Sequence, residues 1–117
     1  PVNDAPEHVR AAALATRRYN DQFLGVMLTG RYSDEFLAAA GTDAPTFTDA
    51  DLRAIGSPLD FVGVNIYIPK SYVEAADSAV GFREIPTALS HPKMGSPWHS
   101  LSPEVLYWGP RLLSDLW

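Results

Sequence analysis

Between Pro58 and Pro69 runs a stretch that most narrows what this chain can fold into: Leu59-Asp60-Phe61-Val62-Gly63-Val64-Asn65-Ile66-Tyr67-Ile68. It is nearly continuous in apolar residues and rich in β-branched and aromatic ones, which predicts a strand over residues 59–68. Its polarity does not alternate, so the expected strand is parallel and covered on both faces, as in α/β folds. Asn65 and Tyr67 interrupt the run two positions apart and would share one face. They sit at its carboxyl end, where α/β sheets and barrels carry their sites. Two readings stay open at this point. Asn65 is satisfied by backbone groups while Tyr67 holds its tip in water, or the pair faces a ligand.

The residues before the strand read as helices. Asp4 is expected as a capping carboxylate, followed by Pro6 in the first turn and Glu7 near the positive end of the dipole. Tyr19, Phe23, Val26 and Met27 recur at helical spacing, so one helix over about residues 5–28 is predicted, bent near Asn20–Gly25 and ended by Gly30. That aromatic stripe is expected in the core. A short helix over about 34–40 should close at Gly41. Thr48 and Asp51 then have the spacing of a capping box, opening a helix over about 49–55 with Leu52 and Ile55 buried. Helices followed by a strand make the order of an α/β unit.

After the strand the chain changes character. Tyr72–Ala75 either extends the strand or forms one arm of a hairpin. From about 76 to 102 no period persists, and Gly81, Pro86, Pro92, Gly95 and Pro97 punctuate the sequence. A loop of that length after a strand's carboxyl end suits a functional βα loop. Trp98 lies on it, either presenting its ring to a sugar face or anchoring the loop to its own core. Ser102-Pro103-Glu104 opens a last helix over about 103–117, with a break expected at Gly109-Pro110.

Three separated segments resemble family 1 glycoside hydrolases, the β-glucosidases and their relatives. Asp60-Phe61-Val62-Gly63-Val64-Asn65-Ile66-Tyr67 is similar to their Asp-Phe-(Leu/Val)-Gly-(Val/Ile)-Asn-Tyr-Tyr, departing at Ile66. Gly30-Arg31-Tyr32-Ser33 resembles Gly-Arg-Tyr-Pro. Met94-Gly95, then Trp98 after an insertion, and Pro103-Glu104-Val105-Leu106-Tyr107-Trp108 resemble the Met-Gly-Trp loop and the Pro-Glu-x-Leu-Tyr-Trp helix. The segments occur in the family's order, and the likeness runs from about Pro1 to Trp117.

The resemblance implies an α/β fold that is a fragment of a (β/α)8 TIM barrel: about one core strand, its flanking helices and one long active-site loop. It implies a retaining β-glycosidase acting on a β-glucoside or cello-oligosaccharide, through two glutamates about 5–5.5 Å apart. The family's Asn-Glu-Pro and Thr-Glu-Asn-Gly motifs, which carry them, do not occur here. A whole barrel takes about 250 residues, so this chain of 117 is expected to need companion polypeptide and to be inactive alone. By resemblance Asn65 would hydrogen-bond the sugar, Tyr67 would support the nucleophile carboxylate, and Trp98 would line the leaving-group side.

Composition sets the remaining bounds. A net charge of −5 argues against a nucleic-acid partner. No apolar run approaches the ~18 residues that span a membrane, and no signal peptide opens the chain. With no Cys there is neither a disulfide framework nor a thiolate metal site, which fits the cytoplasm. His8, His91 and His99 lack metal-ligand spacing, and no phosphate loop or dinucleotide fingerprint appears, so no metal and no cofactor are expected. Pro1 in place of Met suggests an amino terminus cut, processed or left out. The competing reading is an independent small α/β module that binds carbohydrate or another partner without catalysis.

Overall fold

Asn3, not Asp4, turns the chain into its first helix. Its Oδ1 accepts the Ala5 N–H at 2.9 Å, the reach of an Asx turn, and Pro6 then takes the first helical position. Helix α1 spans Pro6–Asn20, with Glu7 in its first turn and Arg17 and Arg18 in its last, each sign matched to the dipole. In the computed structural model, which describes residues 1–67, 69 and 71–117, the contacts divide the chain into two units.

The first unit holds Pro1–Ala15 and Val64–Leu116. Strands β1, Tyr72–Ala75, and β2, Phe82–Ile85, pair antiparallel, with Val73 opposite Glu84 and Ala75 opposite Phe82. So Tyr72–Ala75 is a hairpin arm, and the loop expected over 76–102 contains its partner strand. Four residues are too few for an alternating pattern to stand out from loop sequence. Gly81, at φ 76°, turns the chain between the strands, and its N–H donates to the Ser78 carbonyl at 3.0 Å. Val73 and Phe82 bury one face of the hairpin against Ala11, Ala12 and Ala15 of α1 and Leu112. Small residues on α1 let the backbones approach, while each large side chain buried contributes about 1.5–3 kcal/mol. Helix α5, Val105–Leu116, supplies Leu112 and runs straight through the break expected at Gly109-Pro110. A proline deprives one carbonyl, that of Leu106, of its helical partner, and Leu106 is exposed to solvent.

Thr16–Gly63 and Trp117 make the second unit. After Asn20 the helix widens into a π turn over Asp21–Gly25, with the Val26 N–H reaching back to the Asp21 carbonyl. It resumes as α2, Val26–Thr29, and ends at Gly30 in the left-handed region, φ 71°. Ser33 caps α3, Asp34–Ala40, its Oγ accepting the Phe36 N–H at 3.2 Å. Thr48 and Asp51 cap α4, Asp49–Ile55, reciprocally: the Asp51 N–H donates to Thr48 Oγ1 at 3.2 Å and the Thr48 N–H to Asp51 Oδ2 at 2.8 Å. A side chain on Gly56 would run into the Gly30 backbone, 2.9 Å from its nitrogen, so two glycines allow this approach. Tyr32 packs its ring near those of Phe36 and Phe47, with centroids at 5.5 and 5.1 Å.

Several expectations fail for one reason. Tyr19, Phe23 and Met27 are exposed, Phe23 at 63%, although their stripe reads as core, and α4 buries neither Leu52 nor Ile55. An apolar helix face is covered only if a second layer lies against it. The strand expected over 59–68 is likewise not formed over residues 59–67, and Ile68 lies outside the described residues. Phe61 is 86% exposed. A strand is a hydrogen-bonded relation between segments, and the named strands in the described residues pair with each other as a hairpin. The parallel strand of an α/β unit thus gives way here to helices and two antiparallel strands.

Candidate functional site

Asn65, Ile66 and Tyr67 lie in the first unit. Ile66 packs on α5 at Gly109, where a Cβ would come within 2.6 Å of its Cδ1. Asn65 and Tyr67 on either side of it are exposed, Tyr67 at 64%. The Tyr67 ring meets two rings from the loop before α5. Trp98 stands edge-on to it, centroids 6.4 Å apart at 68°, and His99 lies 6.0 Å away. Trp98 and His99 stack on each other, 3.5 Å apart and tilted by 33°. Two of the three residues singled out in the sequence, Tyr67 and Trp98, therefore come together. Among the described residues, no hydrogen bond or ring contact of Asn65 joins it to them.

Backbone bonds shape the loop that presents Trp98. The Met94 N–H donates to the His99 carbonyl at 2.9 Å, the His99 N–H to the Ser96 carbonyl at 3.0 Å, and the Leu101 N–H to the Pro92 carbonyl at 2.8 Å. Lys93 and Ser100 form an antiparallel bridge. Lys93 Nζ also donates to the Pro97 carbonyl at 3.1 Å. The loop is a small folded hairpin whose tip carries an indole that is 59% exposed.

Beside it a polar knot ties the hairpin strand to the start of α5. The Tyr72 hydroxyl donates to Glu104 Oε1 at 2.5 Å and lies 3.5 Å from Ser102 Oγ. That bond to Tyr72 holds the Glu104 carboxyl below its ordinary value, and the bond to Glu104 holds the Tyr72 hydroxyl above its own. His91 Nε2 is 2.9 Å from the Leu101 carbonyl and 3.3 Å from Ser102 Oγ. A carbonyl only accepts, so Nε2 carries the proton and cannot take one from Ser102. Ser102 and His91 are accordingly a structural pair, without the nucleophile–base relation of a hydrolase. Sequence reasoning missed this knot. Ser102 and Glu104 read only as a helix start, and Tyr72 and His91 share no period or motif with them, so the path of the chain brings the four together.

Carboxylates elsewhere are similarly engaged. Glu74 pairs with Arg83 across the hairpin, and Glu84 accepts from Ser71 Oγ at 2.7 Å. No group of three or more His, Asp or Glu side chains among the described residues is placed to hold a metal ion. An open cavity of about 430 Å³ in the second unit is lined by Gly30, Asp49, Arg53 and Gly56 among others, and none of Asn65, Tyr67 and Trp98 is in its wall.

The family model described as glycosyl hydrolase family 1 matches residues 1–110 of the 117. The chain belongs to glycosyl hydrolase family 1. No curated protein and no solved structure matches it. Family 1 enzymes are (β/α)8 barrels, and the described residues form an α/β piece with helices and one antiparallel hairpin, without a closed barrel. The family acts on glycosides, which makes the chain glycosidase-related. No helix of the described residues is long and apolar enough to cross a membrane.

Proposed function

We propose that the chain is the substrate-side part of a retaining β-glycosidase of the β-glucosidase type, which removes terminal β-linked sugars. The observation that carries this reading is the family match over residues 1–110. Retention takes two steps at two carboxyl groups. One attacks the anomeric carbon while the other protonates the leaving oxygen, and the second then activates the water that releases the sugar. Both glutamates belong to polypeptide that completes the barrel. Asn65 donates to a sugar hydroxyl, Tyr67 donates to the nucleophile carboxylate and holds it in line, and Trp98 lines the leaving-group side. The Tyr67 hydroxyl has no partner among the described residues, which leaves its proton for such a bond. The exposure of Leu59, Phe61, Val62 and Val64 supports a strand that acquires its neighbours from the rest of the barrel.

A second reading, a free-standing module that binds without catalysis, draws on the core that the first unit builds for itself around Val73 and Phe82. Activity separates the two. The isolated chain should not turn over an aryl β-glucoside above buffer. Joined to polypeptide carrying the two glutamates, it should do so and release the β-anomer first. Turnover by the pure chain, or no turnover by the completed barrel, would remove the glycosidase reading.

A further inference from the structure

His99 has no part in the roles assigned above, yet its ring lies beside those of both Trp98 and Tyr67. Its imidazole stacks on the Trp98 indole with centroids 3.5 Å apart, and the Tyr67 ring lies 6.0 Å away on a different segment. His99 is half-buried and held by its own backbone on both sides: its N–H donates to Ser96 and its carbonyl accepts from Met94. Trp98 is the reverse case, 59% exposed. An exposed indole samples several rotamers unless a neighbour holds it. A ring contact of this kind favours one rotamer several-fold.

We propose that His99 is the positioning residue for Trp98, a ring post that fixes the indole edge-on to Tyr67. On the reading of Trp98 as a sugar-facing residue, His99 thereby sets how well the leaving-group side is preformed for a flat oligosaccharide. Substrate binding then draws less on ordering the indole. In a completed enzyme the loss of His99 raises KM for cello-oligosaccharides with kcat unchanged, the pattern of lost uniform binding.

The test uses the full 117-residue chain labelled with 5-fluorotryptophan, whose three tryptophans give separate fluorine resonances. Trp98→Phe assigns the resonance of interest. His99→Gln removes the neighbouring ring, and His99→Phe restores one. The expected result is that His99→Gln moves the Trp98 resonance toward that of free 5-fluorotryptophan and leaves those of Trp108 and Trp117 in place. His99→Phe should bring it back toward the parent position. A Trp98 resonance unchanged by His99→Gln overturns the proposal. If His99→Gln disturbs all three resonances, the unsubstituted chain decides. A fluorine–proton Overhauser effect between Trp98 and the His99 ring is then required, and its absence overturns the proposal equally. None of these readouts involves sugar, so their failure is distinct from failure of the glycosidase reading, which the aryl-glucoside assay tests.

Discussion

Asp21 and Gly25 share one small volume. The Asp21 carboxylate, buried at 8% exposure, folds over the glycine and accepts the Trp117 Nε1–H at 3.2 Å. A Cβ on Gly25 would overlap that carboxylate, lying 2.8 Å from its Cγ and 3.4 Å from the Trp117 nitrogen. The π turn between α1 and α2 widens the backbone at this spot, and the absent side chain leaves room for the Asp21 group to reach Trp117. The Arg17 guanidinium lies over the same indole, 5.9 Å from the ring centroid.

Gly25→Ala should therefore destabilise the chain, against the usual gain of about 0.5–1 kcal/mol for alanine within a helix. Displacing the carboxylate loses a charge-assisted bond that contributes about 1.5–3 kcal/mol, so the net loss is on the order of 1 kcal/mol. Thermal denaturation should show Tm lower by roughly 4–8 °C. In the background of Asp21→Ala the same substitution should become neutral or stabilising, because the conflict is gone. Equal losses in both backgrounds would mean that the carboxylate is not what excludes a side chain there.

The bond between Tyr72 and Glu104 predicts a stability plateau with two edges. Glu104, hydrogen-bonded by Tyr72, titrates below its ordinary value of 4.5, so its contribution is complete above that pH and is lost as pH falls through the depressed value. Tyr72, hydrogen-bonded to Glu104, titrates above its ordinary value of 10.0, so its contribution is complete below that pH and is lost as pH rises through the raised value. Glu104 is exposed and Tyr72 half-buried, and solvent screening keeps the effect modest. Tyr72→Phe removes the donor and both linked edges with it. Tm measured across pH should differ between parent and variant between these limits and converge beyond both. A constant difference at every pH would reduce Tyr72 to a packing residue.

Local signals in the sequence were legible where a short-range rule decides the outcome. Gly30 ends α2 because a left-handed residue is needed there, and Thr48 with Asp51 closes a capping box within four residues. Gly25 marked the bend in the first helix, although nothing in the sequence announced that Asp21 would occupy its space. Long-range pairing was not legible in the same way. The run from Leu59 to Ile68 has the composition of a buried strand, but composition specifies neither a hydrogen-bonded neighbour nor a covering layer. Phe82 anchors the hairpin with only four residues to signal it. At the site, Tyr67 and Trp98 could each be picked out, since an aromatic in an apolar run and a tryptophan on a long loop are local observations. Their meeting, and the part of His99 in it, depends on the backbone bonds of residues 92–101.

Trp98→Ala in the completed enzyme should discriminate between substrates. If the indole lines the leaving-group side, cello-oligosaccharides lose a stacking face and small aryl glucosides lose little. A ring face is worth on the order of 1–2 kcal/mol, so the ratio of the two kcat/KM values should change about tenfold. Steady-state kinetics with both substrates measure it directly. Equal losses on both, accompanied by a lower Tm, would instead identify Trp98 as an anchor for its own loop.

Tyr67 carries the most specific expectation. Its ring is held between exposure and the Trp98–His99 stack, and its hydroxyl is uncommitted among the described residues. On the proposed reading, that hydroxyl would donate to the nucleophile carboxylate in the completed barrel, fixing its attacking orientation and stabilising its charged form. Phenylalanine keeps the ring and its contacts with Trp98 while removing only the donor. A hydrogen bond to a charged group contributes roughly 1.5–3 kcal/mol, so Tyr67→Phe should slow turnover by about 10- to 100-fold. The sign of the pH effect follows from the same bond. Without the donor the nucleophile's pKa rises, so the carboxylate protonates at a higher pH and the acidic limb of the pH–rate profile moves upward. A packing role moves neither the limb nor its midpoint, since the ring is still present. Turnover and acidic limb both matching the parent enzyme would show that Tyr67 does not touch the nucleophile, and the sugar-side role of this segment would then rest on Asn65.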